Sequence, residues 1–280
     1  MSDSGPARLE VLRPAAGRRF ACALLDFDGT LSLIRQGWQG VMVPMMVEVL
    51  GGLDHGLSGP ELEELVREDV ATLTGKQTIY QMIRLAERVE QFGGTPGDPL
   101  EYKREYNRRL MARIEHRRRA LAEGSCRGDE MLLRGARAML GALRQRGLKL
   151  YLTSGTDEPY VLEEANLLGI ADCFDGGIYG AREDYGTFSK AKVIRRMLTE
   201  NAIDGGALLS LGDGFVEIAE TRAVGGYAVG VASDEARGGG SADPWKRNRL
   251  IQAGADMIIP DFAELASILA ALFGSESQRP

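Results

Sequence analysis

Cysteine, histidine and aromatic residues are scarce in this chain. There are three cysteines, Cys22, Cys126 and Cys173, and only two histidines, His55 and His116. An odd cysteine count with no zinc spacing argues against a disulfide framework or a cysteine-rich metal module. The expectation is a reduced, cytoplasmic protein, with Cys22 as a small core residue. Long hydrophobic runs are missing as well, so no stretch is expected to span a membrane. Residues 1–18 are rich in Ser, Gly, Pro and Arg, lack the apolar core of a signal peptide and read as a flexible tail. Surplus positive charge is also lacking. A net charge of −6 and a pI near 5.2 argue against general nucleic-acid or anionic-membrane binding, while leaving room for a local basic groove. There are no internal repeats, and the one low-complexity stretch, Gly238 to Ser241, reads as a mobile loop tip. At 280 residues the chain suits one large domain, or a core with an inserted subdomain.

What is present is concentrated first between Phe20 and Ser32. The apolar run Ala21 to Leu25 reads as a buried strand. It ends in Asp26 and Asp28, followed by a Gly-Thr turn. Alternate residues of an extended chain point the same way, so the two carboxylates leave the strand end side by side. Open α/β sheets bind ligands beyond the carboxyl ends of their strands. Paired carboxylates there suggest metal and phosphate chemistry.

From Arg35 to Met131 no strand signal appears. Val41 to Leu50 is an apolar run, and Ser58-Gly-Pro-Glu61 reads as a capping box opening a helix to about Ala71. Gly75-Lys-Gln-Thr78 opens another helix. Asp98 and Pro99 are a cap and first-turn proline for a helix to about Ala122, with Tyr102, Tyr106, Leu110 and Ile114 on one stripe. After Met131 the rhythm alternates. Helices are expected over 132–146, 159–168, 190–201, 215–224 and 262–273, and strands over 148–153, 178–179, 207–211, 227–232 and 257–259. Strands alternating with helices predict a parallel, doubly wound sheet.

Asp26-Phe-Asp-Gly-Thr-Leu31 resembles motif I of the haloacid dehalogenase (HAD) superfamily, in its phosphatase form. Three further stretches match that family's demands in order. Leu150-Tyr-Leu-Thr-Ser154-Gly155 is a strand ending in a hydroxyl, assigned to Ser154 with Thr153 as the neighbouring alternative. Ser189-Lys190-Ala-Lys192 offers a lysine at a helix start, and Lys190 fits the spacing better than Lys192. Gly212-Asp213-Gly-Phe-Val-Glu217 resembles the acidic turn that follows a strand. The helical insert lies where the family places its C1 cap. The resemblance implies a Rossmann-like HAD core over 19–34 and 132–274, an all-helical C1 cap over 35–131, and a short tail over 275–280.

For chemistry, the resemblance implies a phosphomonoester hydrolase dependent on Mg2+. The ion would be held by Asp26, the Asp28 main-chain carbonyl and Asp213, with Glu217 acting through a water. Asp26 would be the nucleophile that forms an aspartyl-phosphate, and Asp28 the acid and base. Ser154, Thr30 and Gly155 would meet the phosphoryl oxygens, and Lys190 would balance charge. The substrate would be a small phosphorylated metabolite. Asp28 separates this chain from family dehalogenases, which lack the second acid. The family's phosphoglucomutases carry an Asp-Thr or Asp-Ser and a His shortly after motif I, whereas here Leu33, Ile34 and Arg35 fill that stretch. A phosphomutase is therefore the alternative. A nucleic-acid end phosphatase and a non-catalytic binding module rank below it. Arg35, Trp38 and Lys76 are the expected cap contacts to substrate, with Lys76 preferred. Trp245-Lys246-Arg247, read as a loop, is a further candidate. The basic run from Lys103 to Arg119 is interleaved with Glu101, Glu105, Glu115 and Glu123, and reads as a solvated, ion-paired helix face. The protein is expected to be a monomer or homodimer.

Overall fold

The computed structural model describes residues 9–182 and 189–274, so the expected tail at 275–280 lies outside the described residues. Its strands are β1 (Glu10–Val11), β2 (Cys22–Asp26), β3 (Lys149–Asp157), β4 (Gly177–Ala181), β5 (Leu208–Gly212), β6 (Tyr227–Val231) and β7 (Met257–Ile259). They form one sheet in the order β1-β7-β6-β5-β2-β3-β4. All pairings are parallel except that of β1 with β7. β2 therefore lies between β3 and β5. The chain builds outward from β2 in one direction through β3 and β4, then returns to its other side for β5, β6 and β7. A crevice opens at such a switch point, outside the carboxyl ends of the strands. The end of β2 is Asp26.

Alternation along β2 explains the two covered faces. Cys22 and Leu24 join Ile194, Met197 and Leu208 on one face, beneath α7 (Lys190–Glu200). Ala23 and Leu25 belong to the larger core on the other face, with α5 (Ala136–Gln145), α6 (Glu158–Leu167) and α10 (Leu265–Phe273). Cys22 is fully buried, and burial raises its thiol to about 11, as an inert core residue requires. The helices α8 (Phe215–Ala223) and α9 (Pro244–Gln252) complete the first face, over Ala228 and Ile258.

Between β2 and α5 the chain makes four α-helices: α1 (Gln39–Leu50), α2 (Gly59–Leu73), α3 (Thr78–Gln91) and α4 (Pro99–Ala122). Ser58 and Glu61 form the capping box of α2, and the Asp98 carboxylate accepts the Leu100 N–H at 2.9 Å to cap α4. Tyr106, Leu110 and Ile114 are the buried stripe of α4. Its basic residues pair as their interleaving with glutamates suggests, Arg108 and Arg109 with Glu105, and Arg119 with Glu115. Lys103 departs from that pattern, being buried against Asp157 of β3.

The structure corrects several expectations. The chain from Leu9 to Arg18 is not a free tail. Glu10 pairs with Arg247 at 2.6 Å, and Arg13 with the buried Asp256 at 2.6 Å, while Tyr227 donates to the Arg13 carbonyl at 2.8 Å. A two-residue strand is too short to show alternation, so these distant partners fix it. Trp245-Lys246-Arg247 lies within α9 rather than on a loop, with Asp243 accepting the Lys246 N–H at 2.8 Å. The glycine stretch is tied down, since the Gly240 N–H donates to Asp261 at 2.6 Å. α5 starts only at Ala136, after a 3-10 turn at Gly128–Met131.

Candidate active site

Asp26, Lys190 and Glu217 form the floor of the crevice. β2 delivers Asp26, the first turn of α7 delivers Lys190, and the first turn of α8 delivers Glu217. The Lys190 ammonium lies 2.9 Å from Asp26 Oδ1 and 2.9 Å from Glu217 Oε2. Lys190 has no more than 5% of its surface exposed. Burial alone would lower its pKa, but the two carboxylates outweigh burial and hold the ammonium charged. Burial pushes Asp26 well above the usual carboxylate range, with Glu217 and Asp213 adding to the rise and Lys190 opposing it. Lys192, the alternative, is exposed.

Asp28 stands beside this floor. One of its oxygens accepts from Thr156 Oγ1 at 2.8 Å and from Ser154 Oγ at 3.2 Å. The other, Oδ1, is buried with no hydrogen-bond partner and lies 3.9 Å from Arg35 Nε. Burial raises the Asp28 pKa, and Arg35 opposes the rise. Of the two hydroxyls at the end of β3, Ser154 faces Asp28, while Thr153 Oγ1 is buried without a partner. The register of β3 against β4 shifts between Thr153 and Asp157, a bulge that turns this strand end toward the site. The same bulge brings in Thr156, which motif spacing did not single out.

Two expected contacts are rearranged. Thr30 is fully buried, and its hydroxyl accepts the Asp213 N–H at 3.0 Å, bracing the acidic turn rather than facing the cavity. Arg35 still lines the cavity, but its guanidinium is clamped to Glu164 of α6, with Nη2 to Oε1 at 2.7 Å and Nε to Oε2 at 3.0 Å, and lies over the Tyr160 ring.

Lys246, named from the sequence only as part of a candidate substrate contact, is the centre of a second, half-buried cluster that sequence reasoning did not assemble. Lys246 of α9 donates to Asp213 Oδ2 at 2.8 Å, Glu235 Oε1 at 2.7 Å and Ser233 Oγ at 3.1 Å. Ser233 in turn donates to the Gly29 carbonyl at 2.6 Å. Gly29 has a φ of +74°, and a Cβ there would sit 2.4 Å from Asp213 Oδ2, so only glycine fits between motif I and the acidic turn.

The helices α1, α3 and α4 roof the crevice. The cavity, about 100 Å³ and partly open to solvent, is walled above by Trp38, Met42, Gln81, Tyr106 and Leu110, and below by Asp26, Asp28, Ser154, Lys190 and Asp213. Lys76 lines its edge, but this residue is exposed, and its carbonyl packs against the core. A Cβ on Gly155 would lie 2.7 Å from the Lys76 carbonyl oxygen, and one on Gly75 would lie 3.0 Å from Gly214 Cα. The roof and floor thus meet backbone to backbone.

Asp26, Asp213 and Glu217 can each bring one carboxylate oxygen within 4.8 Å of the other two. This donor set is all oxygen, and the two ammonium groups of Lys190 and Lys246 do not balance the four carboxylates of Asp26, Asp213, Glu217 and Glu235. Both features fit a hard divalent cation. Glu217 falls within direct reach, not only through a water.

A family model for haloacid dehalogenase-like hydrolases matches residues 20–225. No curated protein matches the chain. Among solved structures, a predicted phosphoglycolate phosphatase from Haemophilus somnus is 19% identical, with a TM-score of 0.58 over 89% of this chain and 97% of that one. A beta-phosphoglucomutase from Clostridium difficile is 14% identical, with a TM-score of 0.61 over 90% and 97% of the two chains. CbbY from Rhodobacter sphaeroides, solved with phosphate, is 20% identical, with a TM-score of 0.57 over 88% and 96%. These likenesses agree with the doubly wound sheet and helical insert. With the family model spanning most of the chain and all four motif stretches converging on one crevice, the chain belongs to the haloacid dehalogenase-like hydrolase family.

Proposed function

We propose that the protein is a magnesium-dependent phosphatase for a small phosphorylated metabolite, acting through an aspartyl-phosphate on Asp26. The observation that carries this reading is the division of labour between the two motif I carboxylates. Asp26 lies against the Lys190 ammonium at 2.9 Å. Asp28 is held instead by two hydroxyls on one oxygen, while its other oxygen, Oδ1, has no hydrogen-bond partner. One carboxylate is placed to attack and the other to give a proton, the pairing that acid–base chemistry at neutral pH requires.

Asp26, Asp213, Glu217 and the Asp28 main-chain carbonyl would hold the magnesium ion. When bound, it supplies positive charge that offsets repulsion between an anionic nucleophile and a phosphate dianion. Lys190, 2.9 Å from Asp26 Oδ1, adds to that charge. Ser154 and the Gly155 amide meet the phosphoryl oxygens. Asp28 protonates the leaving oxygen through its unpartnered Oδ1, and then takes a proton from the water that cleaves the acyl phosphate. The cap excludes bulk water during both steps.

A cavity of about 100 Å³ suits a small leaving group and not a nucleic-acid strand threaded under the cap. Along α4, Arg104, Arg108, Arg109 and Arg119 are engaged by Glu101, Glu105 and Glu115, which weakens that face as a track for a polyanion. The test is phosphate release from a panel of phosphorylated metabolites, with and without Mg2+, beside Asp26→Asn. Metal-dependent release that disappears in the variant is expected. Isomer formation without phosphate release would instead establish the phosphomutase. No turnover and no Mg2+ binding would overturn the enzymatic reading altogether.

A further inference from the structure

Arg249 lies on α9, outside the cavity, yet it bridges core and cap. Its guanidinium donates to the Ala71 carbonyl and, at 2.8 Å, to the Thr72 carbonyl. Both carbonyls belong to the last turn of α2, which ends at Leu73. The end of a helix has carbonyls without intrahelical partners and carries partial negative charge, so a cation is favoured there. On the core side, the same guanidinium lies over the Phe215 ring at 4.4 Å and the Trp245 ring at 5.0 Å. A planar guanidinium can stack and fork at once, which an ammonium cannot.

The residues just beyond Thr72 give this contact its consequence. Thr74 and Gly75 line the cavity, Gly75 packs on Gly214, and the Lys76 carbonyl packs on Gly155. The contact therefore sits two residues before the segment that seals the roof to the floor. Its core anchor is just as close to the acidic turn. Phe215 is two residues after Asp213, and Lys246, one helical turn before Arg249, holds the Asp213 carboxylate at 2.8 Å. Helix α9 is thus fastened to the acidic turn at one point and to the cap at another. The hinge side of the cap is held separately, through Arg35 with Glu164 and Lys103 with Asp157.

We propose that Arg249 is a positioning residue that latches the closed cap, so that the 74–77 segment seals the cavity before the proton transfers occur. The kinetic part of this inference rests on the phosphatase reading above. Its structural part does not. If the closed form is favoured by the latch, losing it lowers the fraction of protein competent to bind tightly, and the apparent affinity falls by that fraction. Substrate would still close the cap at saturation.

The test compares the full chain with Arg249→Met and Arg249→Lys, using circular dichroism to establish that each variant folds. Small-angle scattering of the unliganded proteins should show a larger radius of gyration for Arg249→Met, returning toward wild type with inorganic phosphate and Mg2+. With a substrate from the panel, KM should rise about tenfold, equivalent to about 1.4 kcal/mol, with kcat within about twofold. Arg249→Lys should recover part of both effects. If Arg249→Met scatters like wild type and keeps its KM, the latch is overturned. It is also overturned if unliganded wild type already scatters as an open form. Should Arg249→Met fail to fold, Arg249→Lys carries the same comparison, and unchanged scattering and KM there would overturn the latch. If wild type hydrolyses nothing, the scattering comparison still decides the latch while the phosphatase reading fails alone.

Discussion

The floor and the roof of the cavity are built on different terms. On the floor each ammonium lies within about one hydrogen-bond length of two carboxylates: Lys190 with Asp26 and Glu217, and Lys246 with Asp213 and Glu235. The roof is mainly uncharged, made of Trp38, Met42, Gln81, Tyr106 and Leu110 on helix faces. Strand ends and first helical turns fix the floor groups, so their relative positions follow from the sheet. The roof groups depend on how four helices pack and on whether the cap is shut. The difference teaches that reaction type is written into the floor and substrate choice into the roof. It also predicts that floor substitutions change rate for every substrate, whereas roof substitutions change the ranking of substrates.

The largest expected effect is on the floor. Lys190→Met leaves Asp26 and Glu217 buried together without their ammonium. Turnover should fall about 10³-fold for all substrates, consistent with removing a positioned charge from a closed site. Without metal the fold should lose about 3–5 kcal/mol, the cost of leaving a buried charge unpaired. Added Mg2+ should restore part of that stability, because it binds the folded carboxylates. Thermal unfolding with and without Mg2+ checks this. A uniform division between floor and roof breaks if activity on some substrates survives.

Next comes the seam between the two halves. Gly155→Ala places a methyl group 2.7 Å from the Lys76 carbonyl oxygen, so roof and floor must separate. Turnover should fall about 10²-fold, the scale of an ångström's misplacement, with little change in Mg2+ affinity. Steady-state kinetics beside calorimetric Mg2+ titration measures both.

Two smaller effects sharpen the contrast. Tyr106 is buried and lines the cavity. Tyr106→Phe should lower kcat/KM by about five- to tenfold for leaving groups that hydrogen-bond to it, and leave other substrates unchanged. The floor's counterpart is a pH effect. Burial raises the Asp28 pKa, and Arg35 opposes the rise. The protonated acid is the form that assists departure of the leaving group, so kcat should fall as pH climbs through that raised value. Arg35→Gln removes the opposing charge, so the basic limb should move to higher pH. A limb that stays put would dissociate Asp28 from the leaving-group step.

The same division explains what was legible in the sequence. Asp26 ends a strand, Asp213 directly follows one and Lys190 begins a helix, and local pattern marks such places; Ser154 lies inside β3, which runs four residues past the expected end at Thr153. Short apolar runs likewise located most of the doubly wound sheet, and helix-start signals located α2, α3 and α4, while α1 was marked only by the apolar run Val41 to Leu50. Other elements rest on long-range contacts. β1 is two residues held by Arg247 and Asp256 from the far end of the chain. The bulge that brings Thr156 to Asp28 is set by pairing with β4, which no local pattern announces. α9 is a different case. Asp243-Pro244 repeats the cap signature of Asp98-Pro99, which located α4 correctly, but only Leu250 of its nine residues is buried, so the apolar periodicity that should accompany it is absent. Lys246 and Glu235 came together only once that helix formed.

Lys76 gives the smallest expected effect and the most exacting comparison. Reasoning from a helix start made it the preferred substrate contact, but α3 begins at Thr78, and the Lys76 backbone rather than its ammonium is what meets the core. The side chain is exposed at the cavity edge. An exposed ammonium there acts on an incoming phosphate dianion mainly at a distance, through water and salt. Lys76→Ala should therefore lower kcat/KM by only about two- to threefold at low ionic strength, with kcat unchanged. The loss should fade as the Debye length contracts to about 8 Å near 0.15 M salt. A loss that persists in high salt would mean that the ammonium turns inward and touches bound substrate. The roof would then contribute a fixed charge of its own, and the contrast with the floor would be one of degree.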